Sequence, residues 1–385
     1  MVPKSEINPI ESGRSFGRNF ETVSGGFVTP TVVSDGLISG CVYRSDGAKV
    51  ALSERFGSWL GDLFRSDNPE FIERPSCTPL PGKGVYLGAF MSVHYGHFIT
   101  ETLSTFWIFE KFPAAEFNYF LLSPFVFGSK IPDYALKCFR AFGIDPEKVV
   151  LMGDHAISCE ELVVPERLLR LNHSADASLR WVYRTISSRV GTVGDPCERI
   201  YLSRRKLSRR NLTRVIANEV MVEKLFRQAG FRVIYPEELP FEIQLGLYDR
   251  ATMVAGPSGS ALHNSLFMKA GAKLIELGDP RYGGERAPTQ VLCDMISGVD
   301  TALIPFVGKL REEERSMSID LDDLRRNLIR VLSEMNVSPL SLETSKIRMS
   351  PCDAIEIMYL SYRPLLGMKL RKLLRYLESK GDSSK

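Results

Sequence analysis

Hydrophobic positions along this 385-residue chain fall into two successive alternations of strand-like and helix-like period. The first starts near Gly84. The apolar run GVYLGAF predicts a strand, Gly96 to about Phe112 a helix, FNYFLL a strand and Asp133 to Phe142 a helix, with KVVLM and ELVVP as further strands. An amphipathic helix from about Ala175 to Val190 follows, and GTVGDPCE after it reads as a linker. The second alternation runs RIYLSR (strand), NEVMVEKLFRQAG (helix, closed by Gly230), FRVIYP (strand), PFEIQLGLYDRA (helix), TMVAG (strand), GSALHNSLFMKAG (helix) and KLIELG (strand). Short connections between strands that alternate with helices predict parallel sheets.

Ahead of the first alternation, residues 1–80 carry Gly, Pro and Ser with short β-like runs and no helical period. The pattern therefore predicts an N-terminal domain over 1–190, a second α/β domain over 198–340 and a helical extension over 341–385. In that extension Leu365, Leu366, Met368, Leu370, Leu373, Leu374 and Leu377 interleave with basic residues, giving a basic amphipathic helix. Residues 361–385 hold seven Lys or Arg against two acids, a net +5 in a chain whose total is only +3. Such a helix suits either packing on the N-terminal domain or peripheral contact with an anionic membrane.

Near-neutral charge excludes a surface built as a whole to neutralise nucleic acid. The 44% hydrophobic and 25% charged composition excludes a disordered tail or coiled-coil rod. Seven cysteines without a CxxC pair argue against a disulfide framework and a structural zinc, and point to a reducing cytoplasm. The first residues show no apolar signal-like run, and no window has the uninterrupted length of a membrane span. Sequons at Asn172, Asn211 and Asn336 are too short a motif to weigh.

Four segments could carry chemistry. Gly256-Pro257-Ser258-Gly259-Ser260 lies between a strand and a helix, where free amides and close backbone approach suit a diphosphate; an ordinary glycine turn is the plain alternative. It is neither a Walker loop nor a GxGxxG fingerprint. Glu276 ends the strand after it and could accept ribose hydroxyls. Arg204, Arg205, Lys206, Arg209, Arg210 and Arg214 form an acid-free basic run directly after another strand. In the N-terminal half His97 and Glu101 stand at i and i+4, a histidine with a carboxylate to orient it, with His94 beside them; a surface ion pair is the plain alternative. The DxD at Asp320 opens a helix and reads as an N-cap, and no metal site is expected. Cys138, Cys159, Cys197 and Cys293 sit in apolar contexts and read as buried thiols.

Taken in order, His97 to Glu101, Tyr201-Leu202-Ser203-Arg204, Arg214 with Asn218-Glu219, Phe241 with Gln244, Gly256 to Asn264 and Ile275-Glu276-Leu277 resemble glycosyltransferase family 61 of the bacterial surface-polysaccharide type. The resemblance covers about half the chain, and it departs at Ser258, where the family usually has histidine. It implies a GT-B fold, two Rossmann-like domains facing a central cleft, here with a C-terminal helix. It implies inverting, metal-independent transfer from a nucleotide-sugar, usually a UDP-sugar, to a saccharide or lipid-linked saccharide. His97 and Glu101 would then serve catalysis, while Arg204, Arg205, Ser258, Gly259, Ser260, Asn264 and Glu276 would hold the donor. His263 could compensate for the missing histidine. A carbohydrate- or nucleotide-binding protein without catalysis is the rival, and RNA binding through the Arg204–Arg214 run is disfavoured by the charge balance.

Overall fold

The computed structural model of the protein describes residues 17–34, 37–59, 62–65, 67–91, 94–126, 128–191, 197–210, 215–306, 308–311, 316–338, 342 and 347–362. The chain divides into two units: residues 1–194 with 263–269 and 288–298, and residues 195–262 with 270–287 and 299–385. Most of the expected linker, and the basic helix after residue 362, lie outside the described residues.

In the first unit one sheet runs in the order Val149–Leu151, Tyr119–Pro124, Cys77–Phe90, Ala156–Pro165, Phe27–Val28, Val42–Tyr43, with Phe20–Ser24 also paired to Ala156–Pro165. The first four strands are mutually parallel and the N-terminal ones antiparallel. The N-terminal segment thus extends the same sheet. The strand expected from Gly84 begins earlier, at Cys77, and holds Pro79 and Pro81. Both prolines are tolerated because pairing to Tyr119–Pro124 starts only at Gly84, so upstream of it one strand face has no ladder to break.

The helix expected over 96–112 is broken into a short turn at Tyr95–His97, a π-helical segment at Phe98–Thr102, a 3-10 turn at Leu103–Thr105 and one α-turn at Ile108–Lys111. Hydroxyls in this stretch explain part of the irregularity. Thr100, Ser104 and Thr105 donate back to the carbonyls of Gly96, Glu101 and Thr102, competing with the regular ladder. Aromatic packing compensates. Phe98 and Phe106 lie 6.1 and 5.9 Å from Phe139 of the Asp133–Ala141 helix, and each such buried ring contributes roughly 1.5–3 kcal/mol.

The second unit holds a fully parallel sheet in the order Arg232–Ile234, Arg199–Leu202, Met253–Pro257, Lys273–Leu277, Asp300–Ile304. Numbered along the chain this order is 2-1-3-4-5, so connections leave the first strand in one direction and the third in the other. The crevice between those two strands, at their carboxyl ends, is where open α/β sheets bind ligands. A smaller sheet of Val215–Ile216, Ser316–Ile319 and Gly308–Arg311 flanks it, and Phe226 stacks on Tyr201 at 4.2 Å in the core between. The helix expected after the Gly256–Ser260 turn is only a six-residue 3-10 segment, Leu262–Phe267. Its polar side chains find tertiary partners that outweigh helix propensity: Asn264 accepts from Tyr95, and Ser265 accepts from Gln290.

Asp320 caps the Leu321–Glu334 helix, its Oδ1 accepting the amides of Asp322 and Asp323 at 3.0 and 2.9 Å. Replacing it with alanine is expected to cost about 1 kcal/mol in denaturant unfolding and to leave any transfer activity intact. Lost activity at unchanged stability would mark the DxD as functional instead.

Candidate active site

The first unit carries the histidine. His97 Nδ1 lies 2.5 Å from Glu101 Oε2, and Arg55 clamps the same carboxylate with Nε on Oε1 at 2.7 Å and Nη2 on Oε2 at 3.1 Å. Glu101 is buried and the His97 side chain is 26% exposed, so solvent meets the ring and not the carboxylate. Burial works to raise the pKa of Glu101, but the Arg55 charge and the hydrogen bonds from His97 and Arg55 outweigh it and hold the carboxyl at about 2. Glu101 is therefore an anion at neutral pH. Its hydrogen bond fixes the imidazole with the proton on Nδ1, which makes Nε2 the nitrogen that can accept one. His94 packs edge-on against His97 at 4.5 Å. Asp154 and His155 pair with each other at 3.5 Å on the exposed surface.

The second unit carries the cations. A pocket at the carboxyl end of its sheet is lined by Arg204, Pro257 and Ser258 from the two sides of the switch point, and by Leu277, Gly278, Asp279 and Ile304–Phe306 from the next two strands. Its walls are mainly apolar, with Ile216, Met317 and Ile319 from the small sheet. The water-accessible interior is about 30 Å³, room for a water or two, so a nucleotide would lie at the mouth and not inside. Gly278 is required here, since a Cβ on it would stand 1.8 Å from the Gly284 carbonyl oxygen.

Arg204 is held by a buried carboxylate. Glu219 Oε1 accepts the Arg204 amide at 2.6 Å and lies 3.2 Å from the Ser203 hydroxyl and 3.3 Å from the Tyr201 hydroxyl. The Tyr-x-Ser-Arg strand end and the Asn-Glu helix start are thereby one structure. Glu223, one turn on, receives Ser203, Tyr235, Arg205 and Arg227. Burial raises the pKa of Glu219 to about 7, opposed by the Arg204 amide and charge and reinforced by Glu223.

The other expected donor residues are placed unevenly. Arg205 is bound by Glu356 at 2.7 and 2.5 Å as well as by Glu223, and it does not line the pocket. Glu276 is fully buried, accepting Arg286 Nε at 2.9 Å and the Ala287 amide at 3.2 Å, with its neighbour Leu277 on the pocket wall. Asn264 accepts the Tyr95 hydroxyl at 2.5 Å, and His263 meets Gln290 at 2.8 Å, both within the first unit. Gly259 and Ser260 follow Ser258 in the turn. The side chains of Arg209 and Arg210, and all of Arg214, lie outside the described residues. Among the described residues no group of three or more His, Cys, Asp or Glu side chains could hold a metal ion, and no helix is long and apolar enough to cross a membrane.

Residues 95–275 match the model of the family Glycosyltransferase 61, from the turn that carries His97 to the strand that carries Glu276. Through this stretch, just under half of its length, the chain is similar to glycosyltransferase family 61. No curated protein matches it.

Three side chains that sequence reasoning left without a role stand at the candidate groups. Glu219 was visible as half of the Asn-Glu pair, but only the fold shows what it holds. Asp279 gave no motif signal and reaches the pocket through the turn after Leu277. Arg55 lies upstream of the matched residues, in a segment whose periodicity predicts nothing.

The raised pKa of Glu219 makes stability depend on pH. The native carboxyl keeps its proton up to about pH 7, whereas an ordinary glutamate in the unfolded chain gives it up near 4.5. Its contribution is thus full below about pH 4.5 and declines as pH rises toward 7. Glu219→Gln should flatten the fall in urea midpoint between pH 5 and pH 8 relative to the wild type. Parallel curves for the two proteins would show that Glu219 ionises normally.

Proposed function

We propose that this protein is a GT-B-type glycosyltransferase that moves a sugar, with inversion and without a metal, from a uridine-based nucleoside diphosphate sugar to a hydroxyl of a saccharide or lipid-linked saccharide in surface-polysaccharide assembly. The observation that carries the reading is the alignment of His97: a partly exposed imidazole, fixed by an anionic carboxylate, with Nε2 facing away from that carboxylate's hydrogen bond. The acceptor oxygen attacks the anomeric carbon from the face opposite the diphosphate and the carbon–oxygen bond to the diphosphate breaks. The hydroxyl proton passes to His97 Nε2. A single displacement inverts the anomeric centre.

Negative charge then grows on the leaving diphosphate. Arg204, positioned through Glu219, and the backbone amides that follow Ser258 in the turn are the groups assigned to stabilise it. That cationic charge supports a metal-independent reading, as does the use of Asp320 as a helix cap. Glu276, held by Arg286, is assigned to shape the strand end that carries Leu277 and Gly278; a direct ribose contact would require its ion pair to open. The four parallel strands in the first unit's sheet and the parallel sheet of the second unit support the GT-B assignment.

Purified protein incubated with a panel of nucleotide-sugars should release nucleoside diphosphate slowly from one of them, in EDTA as in its absence. His97→Gln should lower that turnover about a hundredfold to ten-thousandfold while the donor Kd, measured by calorimetry, stays within about twofold. Turnover unaffected by the substitution would remove His97 from the chemistry. Activity lost in EDTA and restored by manganese would overturn the metal-independent mechanism.

A further inference from the structure

We propose that Arg55 is a positioning residue of the candidate active site, which sets the proton affinity of the His97–Glu101 pair and so keeps His97 able to accept a proton at neutral pH. The inference rests on the reading of His97 as the general base and adds a residue that lies outside the family-matched stretch.

The geometry carries it. Arg55 sits just after the Ala51–Ser53 turn and reaches a carboxylate 46 residues along the chain with both prongs of its fork. Its side chain and that of Glu101 are only 10% and 9% exposed. The guanidinium also lies over the Phe125 ring at 5.5 Å, which fixes its plane. Crucially, Nη2 of Arg55 and Nδ1 of His97 share one oxygen, Oε2. A carboxylate that faces only an imidazole at low dielectric pulls a proton onto the pair and holds it there. One already neutralised by a guanidinium orients the ring through the same hydrogen bond while exerting much less pull. Arginine does this better than lysine, because its planar fork can engage both oxygens at fixed angles.

The other charged and titratable groups around the pair do not replace Arg55. Arg167, after the Ala156–Pro165 strand, is buried and adds positive charge toward Glu101, yet no hydrogen bond joins it to that carboxylate among the described residues. A Cβ at Gly88 would stand 2.6 Å from its Nη2, so the left-handed glycine there is what admits Arg167 to the core. Tyr86, facing Arg167, is pushed by burial to about 12 and stays neutral. His94 meets the His97 ring edge-on.

The chain has five histidines, so the imidazole carbons of labelled full-length protein can be titrated by NMR, with the His97→Gln spectrum identifying the His97 signal. In Arg55→Gln the His97 signal is expected to titrate at least about one pH unit higher than in wild type. Turnover of the donor that the wild type hydrolyses should fall about tenfold at pH 7 and recover most of the loss at pH 9. Arg55→Lys should fall between the two. If Arg55→Gln does not fold, Glu101→Gln supplies the opposite arm: without the anion that Arg55 offsets, the His97 signal should titrate lower than in wild type.

Coincident titrations in wild type and a folded Arg55→Gln, or a rate loss that is the same at pH 7 and pH 9, would make Arg55 a purely structural ion pair and overturn the proposal. So would an unshifted or raised titration in Glu101→Gln. If the His97 signal moves as expected while His97→Gln turns over normally, the control by Arg55 stands and the base assignment falls.

Discussion

A carboxylate taken out of water must be given back, by charge or hydrogen bonds, much of what hydration supplied, and this constraint organises both candidate groups in the protein. Glu101, Glu219 and Glu276 are all buried. Each is satisfied by a residue from another part of the chain: Glu101 by Arg55, Glu219 by the Tyr201–Arg204 strand end, Glu276 by Arg286. The three differ in what the compensation leaves behind. A full guanidinium fork makes Glu101 an anion. Burial, with Glu223 nearby and only the Arg204 amide and charge and the Ser203 hydroxyl to oppose it, leaves Glu219 about half ionised near pH 7. These glutamates fix the places of the groups that can face a substrate, His97 and Arg204.

The parallel sheet of the second unit converts that local order into a site. Its 2-1-3-4-5 strand order puts Arg204 and Ser258 on adjacent strand ends on either side of the switch point, so two segments more than fifty residues apart line one pocket. Apolar walls close behind them, and lower the local dielectric in which Arg204 would meet a phosphate.

Much of this was legible in the sequence because it is local. Hydrophobic runs marked the strands, His97 and Glu101 at i and i+4 marked their contact, and Asp320 marked a cap. What was not legible depends on tertiary partners. Periodicity over 96–112 predicts one helix, but back-bonding hydroxyls and a π segment decide its shape. The segment after Ser260 has helical spacing, yet Tyr95 and Gln290 draw Asn264 and Ser265 into a short 3-10 turn, so the dipole argument for phosphate binding has no α-helix behind it. Arg205 and Arg204 are adjacent and chemically alike; only the carboxylates of Glu223 and Glu356 separate a structural arginine from one that lines the pocket. Arg55 has no sequence signal, since its partner is 46 positions away.

The most direct measurement of the central claim is a crystal structure of the protein with the nucleoside diphosphate of its donor bound. The diphosphate is expected at the mouth of the pocket, with the Arg204 guanidinium and the backbone amides of residues 259 and 260 within hydrogen-bond distance, and with Glu219 still holding the Arg204 amide. A diphosphate bound at another edge of the sheet, or one held by Arg205 with Arg204 turned away, would contradict it.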